Sequence, residues 1–240
     1  MKTSLLKTMC ALLLALWITG AAAVADAAEG GVQHESKAAV LGQLKLLQGT
    51  DRGYELDQTF TRAQGAAMLL RLFGWETAAA GTQGLASPFT DVPAEHWAAK
   101  SIAFAYEKTL VHGITNDTFA PDASMTGAQF MALTLRALGY AEAEPQQASQ
   151  LAAASGLLSA VDAERIAQAA VFRRDDMVAV AYGAIQTRLK GSERTLLQKL
   201  VEEDKAVSAD DAAASRLYNK PEAAADPLNR IEAALEEALK

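Results

Sequence analysis

Arg62 and Arg174 hold matching places in two related stretches, FTRAQGAAMLL (60–70) and FRRDDMVAVAY (172–182). A guanidinium there is a planar fork that fits a carboxylate in bidentate geometry. A third stretch breaks the pattern. Residues 124–139, SMTGAQFMALTLRALG, align without a gap on residues 59–74, TFTRAQGAAMLLRLFG. Thr126 falls on Thr61, Gln129 on Gln64 and Gly139 on Gly74, but Gly127 falls on Arg62.

The residues around these arginines read as helix starts. Thr61 with Gln64, and Thr126 with Gln129, form T-x-x-Q capping boxes: the hydroxyl accepts an orphan backbone N–H and the glutamine reaches back. Each cap contributes about 1 kcal/mol. Arg62 then occupies the first helical position, where outward N–H groups and the helix dipole favour an anion. The expectation is a compact anion site built from those amides and the arginine fork. Gly127 keeps the cap but has no fork, so its groove is expected to be weak or dead. Arg174 follows Arg173 instead of a threonine, although Asp175 and Asp176 suit the dipole. The competing reading of both arginines is a solvated cation or a surface ion pair.

Other chemistries find little support. His34, His96 and His112 lack metal-ligand spacing. Asn116, Asp117 and Asp122 do not follow a calcium-loop pattern, and turn chemistry accounts for them. Glu202-Glu203-Asp204 and Asp210-Asp211 are neighbours that do not face one another on a helix. No nucleophile elbow, phosphate loop or zinc motif occurs. No catalytic group, metal or cofactor is expected. The net charge of −7 argues against a nucleic-acid partner, which needs a basic face.

Lys2 and Lys7, the apolar run from Met9 to Ile18 and Ala23-Val24-Ala25 form a secretory leader pattern, residues 1–25, cut after Ala25 or Ala28. No membrane span is expected once it is removed. Cys10 lies inside it, so the mature chain is expected to have no disulfide or thiol nucleophile.

Alanine-rich amphipathic segments without β-branched runs predict an all-α fold. LLQG (46–49), LVHG (110–113) and LLSA (157–160) precede the Arg/Gly positions at nearly constant distance. The predicted unit is therefore helix–loop–helix, three times over. First helices are expected near 37–48, 95–111 and 147–158, and second helices near 62–73, 127–138 and 174–190. Gly74 and Gly139 stop their helices, followed by Trp75 and Tyr140 as hydrophobic staples.

Residues 88–140 open with F-x-D-V (Phe89, Asp91, Val92), then His96-Trp97, Gly113-Ile114-Thr115, F-x-P-D (Phe119, Pro121, Asp122) and the capped helix. This stretch resembles an S-layer homology repeat over its whole length. Weaker copies flank it, giving units at 37–76, 88–141 and 147–207 after a linker at 26–36. The resemblance implies a pseudo-trimer of helices with grooves between neighbouring units. It implies a secreted bacterial cell-wall protein that binds an anionic secondary cell-wall polymer of the pyruvylated class. Arg62 and Arg174 take the family's binding position, and Asp91 and Trp97 match groove-shaping residues. Trp97 is otherwise read as core or groove wall.

From Gly191 onward the chain turns alanine-rich and acidic, with short helices expected near 192–205 and 208–218, Ser208 capping the second, and residues 208–240 as an acidic helical tail. A last helix from Asp226-Pro227 carries Leu228, Ile231, Leu235 and Leu239 on one stripe. It suits docking on the domain, a protein partner or self-association.

Overall fold

The computed structural model describes residues 31–220. The leader and the Leu228–Leu239 stripe fall outside the described residues.

The described fold over residues 34–220 is all-α. Among the described residues, backbone pairing outside helices is confined to isolated bridges. The first unit contributes α1 (Glu35–Gln43) and α2 (Arg62–Leu72), followed by a short α3 (Glu76–Gly81). The second contributes α4 (Ala99–Glu107) and α5 (Gly127–Ala137). The third contributes α6 (Ala148–Ser155), α7 (Ala160–Gln168) and α8 (Arg174–Gln186). Two further helices follow, α9 (Leu196–Glu202) and α10 (Ala209–Ala214).

The predicted helix pairs are present, with differences that have local causes. The first helices are shorter than expected, because each ends in the same left-handed turn. Lys45, Thr109 and Gly156 have φ of 60°, 57° and 77°. The next residue then donates back five positions: Leu46 to Leu41, Leu110 to Ala105 and Leu157 to Ala152, at 2.8–2.9 Å. Helix α8 stops at Gln186 and not near 190, since Thr187 turns extended and Arg188 pairs with Thr195. Helix α7 was not expected at all. Ser159 caps it by accepting the Asp162 N–H at 3.1 Å.

Both capping boxes form. Thr61 N–H donates to Gln64 Oε1 at 2.9 Å, and Gln64 N–H donates to Thr61 Oγ1 at 3.2 Å. Thr126 and Gln129 repeat this at 3.1 and 3.2 Å. Thr195 and Gln198 make a third box on α9. Gly74 and Gly139 take left-handed φ of 70° and 102°. Trp75 and Tyr140 N–H groups then reach Leu70 and Leu135 carbonyls at 2.7 and 2.9 Å, closing the last turn. Trp75 stacks on Phe73 with ring centroids 4.9 Å apart.

The three units close into a ring. Each first helix packs on the second helix of the preceding unit: α4 on α2, α6 on α5 and α1 on α8. The middle is held by Phe60, Phe130 and Phe172, whose rings meet pairwise at 5.6, 5.9 and 5.7 Å. All three are buried, and such pairs add about 0.5–1.5 kcal/mol each beyond their area. The segments entering the second helices also join across units, through Thr59 with Arg173 and Thr61 with Ser124.

Candidate functional site

Three inter-unit positions follow from this ring, one at the start of each second helix. Arg62 begins α2 and lies against the second unit's loop. Its Nε donates to the Phe119 carbonyl at 2.8 Å and its Nη2 to the His112 carbonyl at 2.9 Å. The guanidinium sits over the Phe119 ring, 4.5 Å from the centroid. Burial pushes the Arg62 pKa below its usual value, and the Asp91 carboxylate opposes that shift. Asp91 holds the loop itself. Its two oxygens accept the Phe119 and Ala120 N–H groups at 2.9 and 2.6 Å, fixing Ala120 at φ 59°.

Arg174 begins α8 and repeats the arrangement on the first unit's loop. Its Nε donates to the Tyr54 carbonyl at 2.9 Å and its Nη2 to the Gln48 carbonyl at 3.4 Å. Burial lowers its pKa as well, with Glu55 opposing. No hydrogen bond within the described residues uses Nη1 of either arginine.

The anion site expected at these helix starts has to be corrected. The Arg62 and Ala63 N–H groups donate to the Ala123 and Pro121 carbonyls at 3.0 and 2.9 Å. Those of Arg174 and Asp175 donate to the Gln58 and Leu56 carbonyls, both at 2.9 Å. The orphan amides are thus satisfied by the neighbouring loop, and the remaining anion-binding capacity lies in side chains.

Beside each arginine a groove remains open. The first, of about 320 Å³, runs past Arg62, His112, Ile114, Gln129, Arg136 and Glu144. The second, of about 160 Å³, runs past Arg174, Gln48, Gln64, Arg71 and Trp97. Trp97 is 63% exposed, so it stands at the groove's lip and is not a core residue. The grooves share three positions: Arg62 and Arg174 at the helix starts, then Gln129 with Gln64 and Arg136 with Arg71, which the same alignment superposes. Arg136 and Arg71 were visible in the aligned stretches, and their shared register was the signal.

The third position is filled. A Cβ on Gly127 would lie 2.2 Å from the Ile166 carbonyl oxygen of α7. Gly183 of α8, which falls on Arg71 in the same register that puts Arg174 on Arg62, shows the same crowding. Its Cβ would lie 2.0 Å from the Leu157 carbonyl oxygen. Asp176, on the Gln64 position, accepts from Arg165 Nη1 at 2.8 Å. Ala163 and Ile166 of α7 are fully buried. Gly127 therefore lacks a side chain because a backbone occupies the space.

The flanking candidates have plain structural roles. Asp117 accepts from the Thr115 and Thr118 hydroxyls at 2.8 and 3.1 Å, which holds its pKa low. Ser208 accepts the Asp210 and Asp211 N–H groups at 3.3 and 3.4 Å, starting α10. Among the described residues, no group of three or more His, Cys, Asp or Glu could hold a metal ion. No described helix is long and apolar enough to cross a membrane.

Comparison with known proteins finds a family match within the second unit. Residues 88–131 match the S-layer homology domain. A "Cell surface protein" of Thermoanaerobacter kivui is 37% identical over 108 residues, 45% of this chain and 14% of that protein. A "Cellulosome-anchoring protein" of Acetivibrio thermocellus is 33% identical over 85 residues, 35% of this chain and 19% of that protein. An "Endoglucanase" of a Bacillus species is 40% identical over 84 residues, 35% of this chain and 8% of that protein. The chain thus spans less than a fifth of the length of these relatives. The stretch that carries Phe89, Asp91, Trp97 and the capped start of α5 is thus the one that matches the S-layer homology domain, residues 88–131.

Proposed function

We propose that this is a non-catalytic bacterial cell-surface protein whose three units are all S-layer homology repeats. It binds the cell wall, and its ligand is an anionic secondary wall glycan of the pyruvylated class. Two grooves take the ligand, on Arg62 and on Arg174, and the Gly127 position takes none. The observation that carries this reading is the pair of open grooves. Each has a half-buried arginine whose Nη1 has no hydrogen-bond partner among the described residues, and the second adds the exposed Trp97 ring. A charged fork beside an aromatic face suits a carboxylated sugar. Asp91 supports the site from behind, through the loop that Arg62 grips.

The test is co-sedimentation of residues 26–240 with purified bacterial walls, intact or stripped of secondary polymer by acid. Binding is expected to vanish with the polymer, to weaken with salt, and to fall in Arg62→Ala and Arg174→Ala. Equal sedimentation in every arm overturns the glycan reading.

A second reading has its own support. Arg62 and Arg174 already bind two loop carbonyls each, and α7 fills the third position. Both facts fit a protein-interaction module that keeps the fold and has lost the glycan. In that case wall binding would not depend on either arginine.

A further inference from the structure

The first groove contains a second arginine, and its surroundings indicate what the groove recognises. Arg136 is 8% exposed and lines the groove opposite Arg62. Its Nη1 donates to the Leu110 carbonyl at 3.0 Å. Its Nε is buried with no partner. A buried charged donor left unmatched is costly, so the site is incomplete as it stands. The only carboxylate that meets Arg136 among the described residues is Glu144, 3.1 Å from Nη2, whose side chain is 55% exposed. The pair is open on the Glu144 side only, since the Arg136 side chain is 6% exposed.

The same arrangement recurs in the second groove. Arg71 is paired there with Glu76, Nε to Oε2 at 3.2 Å and Nη2 to Oε1 at 2.6 Å. In the third position Gly183 replaces the arginine, and a backbone carbonyl takes its space. Arginine at the helix start and arginine on the receiving helix therefore occur together, and both are absent where the groove is filled.

Resting on the glycan-binding reading, we infer that Arg136 is the specificity-determining second cation of the first groove, and that Glu144 holds the place of a ligand carboxylate. An anionic sugar binds there by displacing Glu144 from Arg136, with its carboxylate between Arg136 and Arg62. The exchange conserves charge at the buried guanidinium and returns the exposed Glu144 carboxylate to water. At Arg71 the same exchange must break two bonds in a smaller groove, so the first groove is the principal site.

Two measurements on residues 26–240 test this. The first is calorimetric titration with a synthetic 4,6-pyruvylated N-acetylhexosamine glycoside, comparing wild type with Glu144→Gln and Arg136→Lys. Glutamine keeps an acceptor for Arg136 but removes the competing charge, so Glu144→Gln is expected to tighten binding about two- to fivefold. Arg136→Lys loses the fork and is expected to weaken binding at least tenfold. Glu144 is exposed, so its variant folds even if Arg136→Lys does not. The second is NMR of arginine Nε–H signals during titration with sodium pyruvate. The Arg136 signal is expected to shift, and to shift at lower pyruvate in Glu144→Gln.

Unchanged or weaker sugar binding in Glu144→Gln overturns the inference while leaving the glycan reading intact. An Arg136 signal that ignores pyruvate overturns it too. A pyruvate response without any wall or sugar binding would keep the anion site and remove the glycan reading.

Discussion

The Arg62 groove and the Gly127 position are the same place in two adjoining units, and they were closed by different means. At Arg62 a long side chain spans the gap and grips the Phe119 and His112 carbonyls, leaving a cavity of about 320 Å³ beside it. At Gly127 the chain adds a helix, α7, and brings its backbone into the space a side chain would need. Both solutions hold a loop against a helix start. Only the first leaves room and a free nitrogen for a ligand. Within one fold, then, a joint with arginine keeps an open groove and the joint with glycine does not.

The largest expected effect comes from forcing a side chain into the filled position. Gly127→Ala and Gly183→Ala each place a Cβ 2.0–2.2 Å from a backbone oxygen. Alanine would add up to about 1 kcal/mol of helix propensity, but overpacking against backbone costs about 1–3 kcal/mol or more. Net destabilisation is expected in urea denaturation of both variants. Undiminished stability would show that α7 does not occupy the position, and the contrast between the joints would collapse.

Arg62→Ala probes the other joint. It removes two charged hydrogen bonds to loop carbonyls and the contact with Phe119, a loss of about 2 kcal/mol. Stability and wall binding should fall together, and Arg62→Lys should recover part of the first and little of the second. Arg165→Ala should cost less, about 1–2 kcal/mol, by leaving the buried Asp176 without its charged partner. Its sign in wall binding sharpens the comparison. If α7 loosens and polymer binding rises, the third position is a suppressed groove. If binding is unchanged, glycine has closed it for good.

Local chemistry was legible in the sequence, and partners across the ring were not. Thr61 with Gln64, Thr126 with Gln129, and Gly74 with Trp75 act within a turn or two of themselves, so spacing alone identified their roles. Arg62 was legible as an arginine at a helix start. His112 and Phe119, which take two of its three guanidinium nitrogens, lie 50 and 57 residues away, and no local pattern shows them or the Ala123 and Pro121 carbonyls that take the helix-start amides. Gly127 looked like a loss because the helix that explains it, α7, sits in the copy with the weakest repeat signal. Its Ser159–Asp162 cap was present in the sequence but stood outside the repeated pattern. Trp97 was readable as core or groove wall, and its 63% exposure at the lip of the Arg174 groove favours the second.

The smallest effect tests whether the third unit's helix start is merely an eroded copy of the other two. Arg173 holds the cap position of α8 with extended φ −107° and ψ 165°, but its side chain makes no cap. Threonine there would accept the Asp176 N–H and gain about 1 kcal/mol. The reciprocal half of the box cannot form, because the position that is Gln64 in α2 is Asp176, already engaged by Arg165. The substitution also gives up the exposed bond from Arg173 Nη1 to the Asp57 carbonyl at 2.9 Å. Arg173→Thr should therefore stabilise by about 0.5 kcal/mol at most, within the range of a partial cap. A gain of the full amount would mean that Arg173 contributes nothing across the ring. A loss would mean that the third unit gave up its cap in exchange for a stronger hold on its neighbour.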